Sequence, residues 1–306
     1  MSPLGFQRLD YWRPAGSSTS GCPDGRLPVS SESEMPRAPV NGIELYYQVH
    51  GQGPAVVFAH GAGGNHMSWW QQVPAFARHC RCVTFDHRGF GFSGDGVDGP
   101  GPTAFVDDLR GLLDYLDIEQ AFLVGQSMAG WTCMGFALAH PQRVRALVMA
   151  NTLAGIRRAV WQAAEEEARA KSQALWQQRR AGPRRALSFA FSRQHRHLAF
   201  LYKQIRLLSQ DGVPGLHTQE DVQRLRALER DVERAATPEA LANLRTPVLF
   251  IGGEHDDIMP VPLMEVAVKL IPTARLVVVP GCGHSVYFEA PDTFNRIVLD
   301  FFNGLA

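Results

Sequence analysis

Val124-Gly125-Gln126-Ser127-Met128-Ala129-Gly130 is the stretch that decides the fold. An apolar run at residues 121–124 enters it, and residues 131–139, which include Ala, Met and Leu but no Pro, leave it and end just before His140-Pro141. This pattern predicts a buried strand, a tight turn and a helix. A serine at such a turn has a strained backbone and projects its hydroxyl beyond the edge of a sheet.

Further strands and helices alternate on both sides of this stretch. Apolar runs at residues 55–59, 82–85, 146–150, 247–251 and 276–279 predict buried strands, and an alternating strand at 43–49 follows an Asn-Gly turn signal. Helical patterns separate most of these runs, for example at residues 261–271 and 291–302. Another helix is expected to open at Trp69 and Trp70 and to run to about residue 77, with one of the two tryptophans packed in the core. The alternation predicts a doubly wound α/β fold with a mostly parallel sheet.

The composition divides the chain into three kinds of segment. Residues 1–34 are rich in Ser, Gly and Pro and predict a disordered extension. Residues 35–152 and 246–306 carry the strand pattern and form the predicted core. Residues 153–245 contain no buried-strand pattern and predict a helical cap, with helices at 160–180, 187–208 and 220–233. Basic residues outnumber acidic ones in this cap, which is weak evidence for an anionic substrate.

The charge and cysteine content exclude several classes of protein. The 306 residues include 30 basic and 30 acidic ones, so there is no overall field to attract nucleic acid or an anionic membrane. No apolar run is long enough to cross a bilayer, and the N-terminus lacks a secretory signal pattern. The five cysteines are an odd set without metal-type spacing. We therefore expect a cytoplasmic protein with free thiols and no metal site.

Three polar residues follow three predicted strands in the order Ser127, Asp256, His284. The carboxyl ends of parallel strands share one edge of a sheet, so these side chains are expected to meet there. A serine hydroxyl is a weak nucleophile and needs a base, and the base needs a partner that fixes its tautomer. Asp257 is adjacent to Asp256, so the choice of acid remains open by one residue.

A glycine-rich loop adds to this arrangement. It directly follows the strand at residues 55–59, and its backbone N–H groups are suited to binding an oxyanion. The loop is His60-Gly61-Ala62-Gly63-Gly64-Asn65.

With these stretches the chain resembles the α/β-hydrolase family, in particular cap-bearing esterases, enol-lactonases and meta-cleavage-product hydrolases. Ala129 departs from the pattern, since many relatives have glycine there. The resemblance covers the chain from about residue 40 to the end, except the cap, and implies an eight-stranded sheet. It rests on the glycine-rich loop and the serine turn, and on the following stretches: Asp86-His87-Arg88-Gly89-Phe90-Gly91-Phe92-Ser93, Gly253-Glu254-His255-Asp256 with Pro260, and Gly281-Cys282-Gly283-His284.

The resemblance also implies a mechanism without a metal or an organic cofactor. Ser127 attacks a carbonyl carbon, His284 takes its proton, and Asp256 orients His284. The backbone N–H groups of Ala62 and Met128 bind the developing oxyanion. An acyl-enzyme forms and is hydrolysed by water that His284 activates.

Several functions remain open at this level. The first is a serine hydrolase of small carboxylic esters or lactones (an EC 3.1.1-like activity), and the second is C–C bond hydrolysis of a dienol diketone by the same triad. A non-catalytic ligand-binding protein or receptor is the alternative from another class. Haloalkane dehalogenation is disfavoured because its nucleophile is a carboxylate. The sequence indicates neither the substrate nor the oligomeric state. Candidates to line a pocket under the cap are Trp161, Phe189, Phe191, Phe200 and Leu201, although packing is the expected role for most.

Overall fold

The computed structural model describes residues 35–95, 99–181, 186–208 and 219–305. The predicted disordered extension, residues 1–34, lies outside these ranges. The described residues form a doubly wound α/β fold around one eight-stranded sheet. The predicted fold class is therefore confirmed, while the domain boundaries remain predictions.

The strands follow the order β1-β2-β4-β3-β5-β6-β7-β8 across the sheet. The pairs β1/β2 and β2/β4 are antiparallel, and every other pair is parallel. The short strand β1 was not predicted. It pairs with β2 through a turn in which Asn41 and Gly42 have φ values of 47° and 80°, as a two-residue hairpin requires. The strands are β1 Arg37–Val40, β2 Ile43–His50, β3 Ala55–Ala59, β4 Arg81–Phe85, β5 Ala121–Gln126, β6 Val144–Ala150, β7 Val248–Gly253 and β8 Ala274–Val279.

Helices cover both faces of the sheet. Alternate residues of a strand point to opposite faces: in β5, Leu123 belongs to one buried apolar cluster, with Phe136 and Leu263, and Val124 belongs to the other, with Phe76 and Phe294. The helices are α1 Val73–Phe76, α2 Phe105–Tyr115, α3 Ala129–Ala139, α4 Arg157–Ala163, α5 Glu166–Ala181, α6 Phe189–Gln194, α7 Arg196–Leu207, α8 Gln219–Ala235, α9 Pro238–Ala242, α10 Val261–Leu270, α11 Val286–Glu289 and α12 Pro291–Asn303.

Some helix predictions were wrong in detail. A helix opening at Trp69 and Trp70 was expected, but a 3₁₀ turn, His66–Trp69, precedes the short α1. Trp69 is fully buried and Trp70 is exposed, so one of the two tryptophans packs in the core as expected. The helix expected at residues 160–180 is broken between α4 and α5, and the one at 187–208 is broken between α6 and α7. No helix within the described ranges is long and apolar enough to cross a membrane.

The segment between β6 and β7, residues 151–247, is called the helical insertion below. Within its described residues, every helix or strand is an α-helix, α4 to α9. Helix α5 packs against α10, α8 packs against α3, and α7 packs against the 3₁₀ turn that follows the glycine-rich loop. The insertion therefore rests on the core at the carboxyl edge of the sheet.

Buried ion pairs and hydrogen bonds from backbone N–H groups hold the loop after β4. The Asp86 carboxylate accepts hydrogen bonds from the backbone of His66 and of Phe92. Arg88 donates two hydrogen bonds to Asp108, with N···O distances of 2.6 and 2.8 Å, and both side chains are buried. Losing one partner of such a pair typically costs about 3–5 kcal/mol, because a buried charge is left unpaired.

A second buried hydrogen-bond network, formed by two histidines, lies directly behind the glycine-rich loop. His60 Nε2 accepts the backbone N–H of His87 at 3.0 Å, so its Nδ1 carries the proton and donates to the carbonyl of Gly61 at 2.9 Å. His87 Nδ1 lies 3.2 Å from His60 Nε2, and its Nε2 lies 3.0 Å from the hydroxyl of Thr132 on α3. Two neutral imidazoles therefore connect β3, β4 and α3.

Burial makes these imidazoles costly to protonate. It lowers the pKa of His60 to about 4, against an ordinary value of 6.5, even though Asp86 acts in the opposite direction. Burial and the neighbouring His60 also lower the pKa of His87 well below its ordinary range. Protonating either ring also breaks the hydrogen-bond pattern, since a charged imidazole has no acceptor nitrogen.

These pKa values predict acid lability. Between about pH 6.5 and about pH 4 the unfolded chain binds a proton at residue 60 that the folded protein does not bind, so the free energy of unfolding falls as the pH falls. We expect a loss of at most about 3 kcal/mol from His60 over this window. Urea unfolding between pH 7.5 and 4.5 measures it.

The matched control is His60→Asn, whose amide can both donate and accept but does not titrate. This variant should be less stable at neutral pH and should lose less stability on acidification. Equal acid losses in wild type and variant would show that His60 is not responsible.

Candidate active site

Ser127 occupies the sharp turn between β5 and α3. Its φ is 50°, a left-handed conformation that non-glycine residues rarely adopt. Its N–H donates to the carbonyl of Ala150 on β6, and its own carbonyl accepts the Thr152 hydroxyl at 2.6 Å. The predicted strand, turn and helix are all present, although α3 begins at Ala129 rather than at the serine.

Small residues around the turn are required by close contacts. A Cβ at Gly125 would lie 2.8 Å from Cys133 Sγ, and a Cβ at Gly130 would lie 2.5 Å from Thr152 Oγ1. One at Gly61, in the glycine-rich loop, would collide with the side-chain oxygen of Gln126. Ala129, the departure from the family pattern, is fully buried and begins α3, so its methyl group fits.

The structure brings Ser127, His284 and Asp256 together. The Ser127 Oγ lies 2.9 Å from His284 Nε2, and His284 Nδ1 lies 2.9 and 3.1 Å from the two oxygens of Asp256. A carboxylate only accepts hydrogen bonds, so Nδ1 carries the proton and Nε2 accepts the serine hydroxyl. This tautomer is the one a general base needs.

The structure also distinguishes Asp256 from its neighbour. Asp256 is buried, and its Oδ1 accepts the backbone N–H groups of Ile258 and Met259, each at 2.9 Å. Asp257 is more exposed and pairs with Arg179 of α5 at 2.7 Å. Only the first of the two carboxylates contacts His284, among the residues that the structure describes.

Asn151 is a polar residue of the site that the sequence analysis missed. It follows β6, is fully buried and has a φ of 51°. Its amide donates to Asp256 Oδ2 at 2.9 Å and to the carbonyl of Gly283, and its oxygen accepts the N–H of Val286. Asn151 thus links the acid to both sides of the loop that carries His284. An asparagine directly after a buried strand was the available signal.

The predicted oxyanion donors lie at the same edge. In the described part of the chain, the N–H groups of Ala62 and Met128 make no hydrogen bond to a protein acceptor. Met128 immediately precedes α3, and the first N–H groups of a helix lack intrahelical partners. Ala62 neighbours Gly61, whose Cβ, if present, would be 3.0 Å from Ser127 Cβ. Both backbones are therefore placed near the serine with free donors.

Two recesses lie near the site: the glycine-rich loop lines the first and His284 lines the second, whereas Ser127 and Asp256 line neither. The first lies between the glycine-rich loop and α7, and its wall includes Gly61, Gln126 and Tyr202; its space, about 10 Å³, holds about one water molecule. A substrate therefore enters it only if side chains in its wall move. The second is a groove of about 400 Å³ whose wall includes His284 and Phe189, a volume suited to a small ligand.

The aromatic residues predicted to line a pocket differ in placement. Phe189 is 64% exposed and lines the groove beside His284. Phe191 is buried and packs edge-on against Phe288, with ring centroids 6.2 Å apart. Trp161 stacks on Trp176 with centroids 5.6 Å apart, so it joins α4 to α5 and lines neither recess. Phe200 and Leu201 are exposed on α7 and line neither recess.

The cysteines near the site are packing residues. Cys133 and Cys282 are both buried, and burial raises the pKa of their thiols to about 12 and about 11. A thiol that stays protonated at neutral pH is a poor nucleophile.

Comparisons with known proteins agree with the fold. The family model for the alpha/beta hydrolase fold matches residues 54–291. The chain is 28% identical to a protein assigned as the carbamate hydrolase RutD of Azorhizobium caulinodans, over 87% of this chain and 98% of that one. It is 32% identical to the 2-hydroxymuconate semialdehyde hydrolase of Pseudomonas sp. strain CF600, over 85% of this chain and 90% of that one.

A solved structure extends the similarity to the fold. The enol-lactonase from Burkholderia xenovorans LB400 is 26% identical and superimposes with a TM-score of 0.65, over 88% of this chain and all of that one. The family model covers well over half of the present chain. The chain therefore belongs to the α/β-hydrolase family.

Proposed function

We propose that this hydrolase cleaves small carboxylic esters or lactones through an acyl-enzyme. The observation that carries the proposal is the unbroken hydrogen-bond chain from Ser127 through His284 to Asp256, with heavy-atom distances of 2.9 Å at both steps. A nucleophile, a base and an orienting acid within hydrogen-bond reach are the parts that acyl transfer needs.

Each group has a defined task in this mechanism. His284 Nε2 removes the hydroxyl proton as Ser127 Oγ attacks the carbonyl carbon, and Asp256 stabilises the imidazolium that forms. The N–H groups of Ala62 and Met128 bind the oxyanion; losing one such donor typically costs about 100- to 1000-fold in rate. His284 then protonates the leaving oxygen, and we propose the groove that His284 and Phe189 line as the exit for the leaving group.

The second half-reaction uses the same groups. A water molecule takes the place of the leaving group, His284 removes its proton, and the resulting attack releases the acid and restores Ser127. No metal or organic cofactor enters either half.

Since the four described cysteines are free thiols, we also propose a reducing, cytoplasmic location.

C–C bond hydrolysis is the second candidate. It is favoured by the 32% identity to a 2-hydroxymuconate semialdehyde hydrolase. The RutD relative is named for the hydrolysis of a carbamate instead. The same serine, histidine and acid serve all three reactions, so measured turnover must separate them.

The acid assignment gives a sharp prediction. Asp256→Asn should fold normally and lose about 10⁴-fold in kcat, because an amide favours the wrong histidine tautomer. Asp257→Asn should keep most of its turnover, since Asp257 pairs with Arg179 and not with His284. Steady-state kinetics measure kcat of both variants, and circular dichroism shows whether each variant folds normally. If Asp257→Asn is the crippled variant, the assignment is off by one residue.

The bond class is tested with a substrate panel. Wild type should hydrolyse p-nitrophenyl esters or small lactones, and Ser127→Ala should lose about 10⁴-fold or more. A carbamate and a dienol diketone complete the panel, and the highest kcat/KM identifies the bond. A fluorophosphonate probe should label wild type at Ser127. Tight ligand binding without turnover or labelling would instead indicate a binding protein.

A further inference from the structure

Helix α7 is held over the glycine-rich loop by specific contacts. The amide of Asn65, the last residue of that loop, donates to the carbonyls of Ile205 and Leu208 at 2.6 and 3.1 Å, at the end of α7. The Tyr202 hydroxyl lies 3.0 Å from Ser285 Oγ, one residue after His284. The last turns of α7 are therefore fixed to both loops that supply the active site.

This placement brings Arg206 against the glycine-rich loop. Gly63 has a φ of 73°, and a Cβ built on it would lie 2.6 Å from one terminal nitrogen of the Arg206 guanidinium. The guanidinium therefore lies against the glycine, and glycine at this position leaves the room for it. The guanidinium carbon is 5.9 Å from the centre of the Tyr202 ring. Arg206 also lines the recess that contains Gly61 and Ala62.

No carboxylate neutralises this cation among the described residues. Helix α7 contains Arg196, Lys203 and Arg206 but no acidic residue. The wall of the recess is likewise built without an acidic side chain. Packing on Gly63 and on an aromatic face orients a guanidinium without occupying its hydrogen-bond donors, so the donors remain available to a ligand.

We infer that Arg206 binds a carboxylate carried by the acyl part of the substrate. The inference rests on the proposed function. The acyl part is indicated because Arg206 lines the same recess as Gly61 and Ala62, and His284, which protonates the leaving oxygen, does not line that recess. A guanidinium fork matches a carboxylate with two parallel hydrogen bonds, which makes it selective for a planar anion. The substrate class is then a half-ester of a dicarboxylic acid, or a lactone with a free carboxylate.

Matched ester pairs test this charge directly. Mono(4-nitrophenyl) adipate and 4-nitrophenyl hexanoate have acyl chains of equal length and differ in the terminal carboxylate. Arg206→Gln should lower kcat/KM for the adipate ester by about tenfold or more, as expected for a lost charge-assisted hydrogen bond, and change the hexanoate ester little. The octanoate and suberate pair repeats the test at greater length.

Lys203→Gln is the matched control. It removes a positive charge from the same helix, one turn away and outside the recess. The quantity compared is kcat/KM for the adipate ester divided by kcat/KM for the hexanoate ester. If Lys203→Gln lowers this ratio as much as Arg206→Gln does, the effect is a general attraction by the basic helix and the inference is wrong. If Arg206→Gln slows both esters equally, Arg206 acts on the oxyanion or on the loop, and the inference is wrong.

A binding measurement separates this inference from the proposed function. In a Ser127→Ala background, calorimetry should show that monomethyl adipate binds about tenfold or more weakly after Arg206→Gln, with neutral methyl hexanoate unaffected. Equal binding of monomethyl adipate to both proteins would overturn the inference whether or not esters are turned over. Ester hydrolysis that survives Ser127→Ala would overturn the proposed function and leave the binding result standing.

Discussion

The left-handed backbone of Ser127 is the constraint on which the rest of the site depends. A φ of 50° at a non-glycine residue costs on the order of 1–3 kcal/mol and persists only where its surroundings enforce it. Here the enforcement comes from the Ala150 carbonyl, the Thr152 hydroxyl and three glycines that allow close packing. The result is a hydroxyl aimed out of the sheet toward His284, with the start of α3 directly behind it.

The other members of the site are fixed by the same edge of the sheet. Asp256 follows β7, His284 follows β8 and Asn151 follows β6, so three adjacent strands deliver three polar groups to one place. The Asp256 carboxylate is fully engaged by backbone N–H groups, an amide and the imidazole. Such a carboxylate cannot turn away from His284, and this rigidity keeps the histidine in the tautomer that the chemistry needs.

The glycine-rich loop is supported from both sides. Beneath it, the neutral His60 and His87 connect two strands to α3. Above it, Asn65 holds the end of α7, which places Arg206 against Gly63. The loop therefore joins the core to the helical insertion through contacts on both of its sides.

The amino-acid sequence by itself determined the order of strands and helices, the fold class and the serine turn. Buried parallel strands are continuous apolar runs, and glycines mark close approaches, so both are visible locally. The meeting of Ser127, Asp256 and His284 could also be predicted, because every βα loop of a parallel sheet lies at the same edge.

Only the tertiary structure decided the contacts between distant segments. It showed that Asp256 and not Asp257 contacts His284, and that Asn151 belongs to the site. It also paired Trp161 with Trp176 and placed Arg206 against the glycine-rich loop. Each of these depends on the direction of a side chain across a gap that no periodic pattern spans. The local sequence around each of these residues does not show which distant segment its side chain will contact.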